Sequence, residues 1–332
     1  DTDHQQAGRR ASALRERGQL AEAISQAAED LASGLGVNIT DPDIGLAQSV
    51  AGAAQLASAQ HRPDQSWLDT DGLRAARDAV AVLEPVVRRY RELVAVVQEH
   101  FTDEVVQLDI EAFYDGPADL VPNLSRLSSA GRANRQQLKA CTKGGKVTKE
   151  TVARLAAVRQ WRATWLDLAA KEAVAAPIGS HYYRQTETDF EAVNEAIGVA
   201  ERALALLGAA SQGQPLGPAL ARTSTAADEL VERGRLLQRL VDTWQAVPAD
   251  QAAHTELPME LHTLKQSAEW CAAQAELLDL LAADLQQIGA PPGPDHLAAS
   301  RRIAQLRQFS VGARSALEAT LDADQALLGS WY

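Results

Sequence analysis

Between Thr70 and Phe101 the apolar residues fall at Leu73, Ala76, Val80, Leu83, Val87, Tyr90, Val94, Val97 and Phe101. This alternation of three and four is the seam of a long α-helix that buries one stripe against another helix. A strand, whose side chains alternate with period two, has no use for it. Pro85 falls off the seam, where a local kink is tolerated. The same spacing returns at Leu261, Leu264, Ala268, Cys271, Ala275, Leu278, Ala282 and Leu285, and again at Ile303, Leu306, Ser310, Ala313, Leu317 and Thr320, with Asp324 breaking the last register. The many small residues in these two seams suit close antiparallel packing.

Composition extends the helical reading to the whole chain. Alanine supplies 63 of 332 residues and arginine outnumbers lysine 26 to 6. Ala, Leu, Glu, Gln and Arg favour helix, and too few β-branched and aromatic residues remain for a sheet. The expected fold is all-α: an elongated antiparallel helical bundle of long, coiled-coil-like helices with a protruding helical hairpin. Five segments are expected: N-terminal helices over 1–69, a long helix and connector over 70–117, a basic helical hairpin over 118–176, a capped loop and helix over 177–207, and a C-terminal long-helix bundle over 208–332. Predicted helices span Gln6–Leu35, Ile44–Gln60, Thr70–Phe101, Ala118–Ala140, Thr148–Ala176, Asp189–Leu207, Gly217–Val247, Pro258–Ile288 and His296–Leu328. A turn is expected at Asp115-Gly116-Pro117, and Thr188 with Glu191 reads as a capping box.

Catalytic patterns do not emerge. Gly145-Lys146 is followed by Val147 and Ala140 stands where a phosphate loop needs glycine, so there is no Walker motif. His254, Glu256, Glu260 and His262 are close in sequence but straddle Pro258, which favours a polar helix start over a metal site. No nucleophile elbow or Cys/His pair occurs. No cofactor and no small-molecule substrate are expected. Cys141 and Cys271 read as free thiols in a reducing compartment, hence a cytoplasmic location. No run of about 18 apolar residues points to a membrane partner. The polar start and the absence of an initiating Met suggest a piece of a longer protein.

Charge is distributed unevenly. From Arg126 to Arg162 ten basic residues (Arg126, Arg132, Arg135, Lys139, Lys143, Lys146, Lys149, Arg154, Arg159, Arg162) meet one acid, Glu150, in a chain of net charge −12. A positive lobe on a negative body attracts polyanions through phosphate contact and counterion release. It equally suits an acidic protein surface. Among these, Arg132, Arg135, Lys139, Lys143, Lys146 and Lys149 are the candidate contacts to a DNA or RNA backbone, and no aromatic sits among the lysines to stack a base. Trp161 and Trp165, four apart on one helix face, read as core, as do Trp244 and Trp270. Tyr182, Tyr183 and Phe190 are expected to pin a non-helical loop to the bundle.

The run Pro177-Ile-Gly-Ser-His-Tyr-Tyr-Arg-Gln-Thr-Glu-Thr-Asp-Phe-Glu-Ala-Val-Asn-Glu-Ala-Ile resembles a segment of large bacterial superfamily-one helicase-like ATPases. There a Leu-Gly, an aromatic pair, a Gly and x-Thr-Asp-Trp precede a helix. Upstream, Phe101, Leu108-Asp109, Ala112 and the Arg- and Lys-rich helix match the same rhythm, so the likeness covers about Leu73 to Leu207. Gln185 stands where the family often has Gly, and Phe190 where it often has Trp. The resemblance implies an inserted helical stalk cut away from its ATPase motor, which would be its intramolecular partner. The motor's motifs are absent, so no catalytic residue carries over and the piece is expected not to be an enzyme. Gly179, Tyr182, Thr188, Asp189 and Phe190 then look architectural. The rival reading is a helical protein-interaction scaffold with no nucleic-acid role.

Overall fold

The computed structural model describes residues 3–114, 122–125, 127–246 and 261–288. The fold is all-α: no strand occurs among these residues, only an isolated bridge between Phe101 and Thr142. The helices are α1 (Asp3–Gly34), α2 (Ile44–Gln55), α3 (Thr70–His100), α4 (Ser129–Ala140), α5 (Lys149–Ala170), α6 (Phe190–Leu207), α7 (Ala227–Gln245) and α8 (Leu264–Ile288). The expected helix over His296–Leu328 with its seam, the turn at Asp115-Gly116-Pro117, and His254, Glu256 and Glu260 lie outside the described residues.

The chain divides into two compact units. One comprises Asp1–Gly34, Asn38–Gln55 and Glu232–Tyr332; the other comprises Leu35–Val37 and Leu56–Val231. The first and last sequence segments therefore share a unit.

In the first unit α1 and α8 run antiparallel. Ala7, Ala11, Leu14, Ala21, Ile24, Ala28 and Leu31 form the buried stripe of α1. Gly18 stands at the missing step of that stripe, where an added Cβ would lie 3.1 Å from Cys271 Cβ and 3.3 Å from Ala268 O. Small side chains here let two backbones approach, and Cys271 and Ala275 complete the seam from α8. Arg15 pairs with Asp279, and the Arg17 guanidinium lies 4.2 Å from the centroid of the Trp244 ring on α7. Gly234 of α7 passes Ala54 of α2 so closely that a Cβ would come within 2.8 Å of the alanine methyl.

The axis of the second unit is α3, about 46 Å long at 1.5 Å per residue. Asp69 caps it, its carboxylate accepting from Asp71 N and Gly72 N at 2.9 and 2.8 Å. Its buried residues are Leu73, Ala76, Ala79, Val80, Leu83, Val87, Leu93 and Val97, and Pro85 is exposed, as its position off the seam requires. α5, the 3-10 segment Glu172–Ile178 and α6 all pack on α3.

Several boundaries differ from expectation. α4 begins at Ser129 rather than Ala118: Ser128 Oγ accepts from Gly131 N at 3.0 Å, and residues 122–125 are not helical. α5 stops at Ala170, where Lys171 caps it before the tighter turns that lead to Pro177. α7 begins at Ala227 rather than Gly217: Pro218–Leu220 forms a separate 3-10 turn, and Arg62 Nη2 donates to the carbonyls of Arg222 and Ser224 beyond it. The capping box is also displaced: Asp189, not Thr188, caps α6, its carboxylate accepting from Glu191 N and Ala192 N, both at 3.1 Å. Thr188 is fully buried and its hydroxyl closes the preceding turn, accepting from Arg184 N and donating to Gln185 O.

Candidate nucleic-acid interface

The basic window is built around one cluster of buried side chains. Val97 and Phe101 from α3, Val105, Leu108, Ile110, Phe113 and Tyr114 from the connector, Leu138 and Cys141 from α4, and Leu155 and Val158 from α5 share a core. The turn between α4 and α5 uses Gly144 and Gly145 at positive φ, +79° and +60°, where other residues are strained. It is tied back to the end of α3: Thr102 N donates to Cys141 O at 2.8 Å and Lys143 N to His100 O at 3.0 Å.

The second arm of the expected protruding helical hairpin packs on the long helix. α5 lies along α3, and Tyr90 meets both Trp161 and Trp165 across that contact, with centroids 6.2 and 5.8 Å apart. The physical cause is apolar: α4 offers only Leu138 and neighbouring small or polar buried groups, whereas α3 presents a full seam.

The basic side chains divide by role. Arg159 donates to Glu111 Oε1 at 2.9 Å and lies 4.7 Å from the Tyr114 ring centroid, and Arg162 donates to Leu108 O. Both clamp the connector. Burial pushes the Tyr114 phenol pKa up, and the nearby Arg159 charge partly opposes the shift. Lys143 Nζ donates to Gln98 O, satisfying a carbonyl in the last turn of α3, a position that favours a cation. Lys139, Lys146, Lys149 and Arg154 are exposed and make no ion pair with a carboxylate among the described residues. Arg132 is exposed and Arg135 half-buried on α4. Arg126 lies outside the described residues. Glu104 lies near Cys141 at the end of α4.

The run from Pro177 that carries the family likeness begins beside a second, apolar cluster. Gly179 takes φ +80°, and Trp67 Nε1 donates to Pro177 O at 2.7 Å. Tyr182 is buried on Trp67 and its hydroxyl donates to Arg62 O. Arg91 of α3 donates to the carbonyls of Thr186 and Thr188 at 2.9 and 2.8 Å. These residues hold a loop against α3.

Trp165, expected in the core, is instead 43% exposed, and its neighbour Leu166 is 67% exposed. With Tyr90, Trp161 and Arg162 they line a cleft of about 480 Å³. The four-residue spacing signals a shared face but not whether anything covers it. No set of His, Cys, Asp and Glu able to hold a metal occurs among the described residues, and no helix among them is long and apolar enough to cross a membrane. No protein-family model, curated protein or solved structure matches this chain.

Proposed function

We propose that this chain is a helical stalk or clamp belonging to a helicase-like ATPase, and that the turn between α4 and α5 contacts the sugar–phosphate backbone of a nucleic acid without reading its sequence. The motor as partner rests on the resemblance alone. The observation that carries the nucleic-acid part is the gathering at one turn of exposed cations that have no ion pair among the described residues. Arg15, Arg77, Arg88, Arg89, Arg235 and Lys171 each sit within 4 Å of a carboxylate, whereas Lys139, Lys146, Lys149 and Arg154 reach solvent with none among the described residues. Exposed, unneutralised cations around a rigid turn are what backbone contact and counterion release require.

The test is fluorescence anisotropy of labelled single-stranded and duplex DNA across a salt series. The expected result is binding that weakens steeply with salt and is lost when Lys139, Lys146 and Lys149 are all changed to Gln. Absence of binding at low salt refutes the clamp and leaves the scaffold reading, in which the same turn meets an acidic protein surface.

A further inference from the structure

Arg154, Trp161 and Trp165 stand at i, i+7 and i+11 on α5, which places them along one side of the helix. Two turns, about 10 Å, separate the arginine from the first indole. The cleft at the aromatic end is lined by Tyr90, Trp161, Trp165, Leu166 and Arg162, whose guanidinium donates to Leu108 O. Its neighbouring acids are already engaged: Glu92 pairs with Arg89 at 3.3 Å and Asp167 pairs with Lys171. Trp161 also lines this cleft, with its indole Nε1 buried.

We infer that this cleft stacks an unpaired base of a single-stranded nucleic acid, with the sugar–phosphate chain continuing past Arg154 to the basic turn. The inference rests on the backbone-contact reading above and assigns it a strand type. A flat aromatic ring matches the part-exposed indole of Trp165, and the phosphates that come with it match the exposed Arg154. In a duplex the ring faces are occupied by neighbouring bases, so only an unpaired base offers one. A proline-rich peptide is the other known occupant of aromatic grooves, but it brings no negative charge to the exposed Arg154.

The experiment uses the full chain and three labelled probes of equal length at low salt: an oligothymidylate, an abasic strand with the same phosphates, and a duplex. The wild type is expected to bind oligothymidylate about tenfold more tightly than the abasic strand, a typical worth for one base on one aromatic ring. Trp165→Ala should bring oligothymidylate down to the abasic level and leave abasic binding unchanged, while Trp165→Phe restores much of the difference. Trp165 is 43% exposed and packs on Tyr90, so circular dichroism is used to check that both variants keep the wild-type fold. Equal affinity of the wild type for the two strands, or a ratio indifferent to Trp165→Ala, overturns the inference. In that event salt-dependent abasic binding that needs Lys139, Lys146 and Lys149 still upholds the backbone contact. No abasic binding overturns both. Capture of a proline-rich peptide that Trp165→Ala abolishes, without any base-dependent binding of DNA, overturns the inference in favour of a peptide.

Discussion

The indole of Trp67 stacks on the phenol of Tyr182, with centroids 5.2 Å apart and ring planes at 25°. Each ring also has its polar end bonded, Trp67 to Pro177 O and Tyr182 to Arg62 O. The stack thus holds the turn before α3 and the loop before α6 as one piece. Trp67 is fully buried, so Trp67→Ala leaves a cavity and a carbonyl without its donor. The expected cost is about 3–5 kcal/mol, and Trp67→Phe should cost visibly less. Urea unfolding followed by far-ultraviolet circular dichroism measures both.

The cap of α6 distinguishes two neighbouring residues. Asp189→Ala removes an acceptor from two backbone N–H groups and should cost about 1 kcal/mol. Thr188→Val strands the Arg184 N–H inside the fold and should cost about 1–3 kcal/mol. If Thr188→Val were neutral in thermal unfolding while Asp189→Ala was not, the described role of the threonine hydroxyl would be wrong.

The two thiols should behave as buried groups. Burial raises the pKa of both Cys141 and Cys271; Glu104 adds to the shift at Cys141, and Arg17 opposes it at Cys271. A thiol whose pKa is higher folded than unfolded stabilises the fold fully below its unfolded pKa. That contribution fades as pH rises through the unfolded value and is gone above the folded one. Stability should therefore fall from about pH 8.5 upward. In native protein at neutral pH an aromatic disulfide reagent should titrate neither thiol, and in denaturant it should titrate both. Gly18→Leu, which forces α1 away from α8, should make Cys271 reactive without denaturant.

Charge and fold at the basic turn should separate cleanly. Lys146→Gln touches an exposed side chain and should change stability by no more than about 0.5 kcal/mol. If Lys146 meets a phosphate, the same change lowers the slope of log affinity against log salt by about 0.7–0.9. Gly131→Ala is the structural counterpart: its Cβ would sit 2.3 Å from Ser125 O, so it should destabilise the start of α4. Parallel unfolding and binding titrations of the two variants check this division.

The helices were legible where a seam of large residues announced them. The stripe from Leu73 to Val97 needed only its spacing, although at the α3 end Leu93 is buried in place of Val94. A straight helix repeats at 3.6 residues rather than 3.5, so a strict seven-residue register drifts. Caps were less legible because neighbouring Thr188 and Asp189 offer the same chemistry, and only backbone geometry chooses between them. The pairing of α1 with α8 was not legible at all. Its seam is written in Ala, Gly and Cys, which mark closeness only once the partner is known. At the candidate interface the count of charges was readable, but the withdrawal of Lys143, Arg159 and Arg162 into structural bonds was not. Those bonds join residues far apart in sequence.

The union of α1 with α8 also orders events during synthesis. At roughly 5–20 residues per second, on the order of ten to fifty seconds pass between completion of α1 at Gly34 and the first residue of α8, Leu264. Through that interval the apolar stripe of α1 lacks its main partner, while every residue of the second unit leaves the ribosome in between. During synthesis the apolar stripe of α1 is therefore a surface open to a chaperone until α8 emerges.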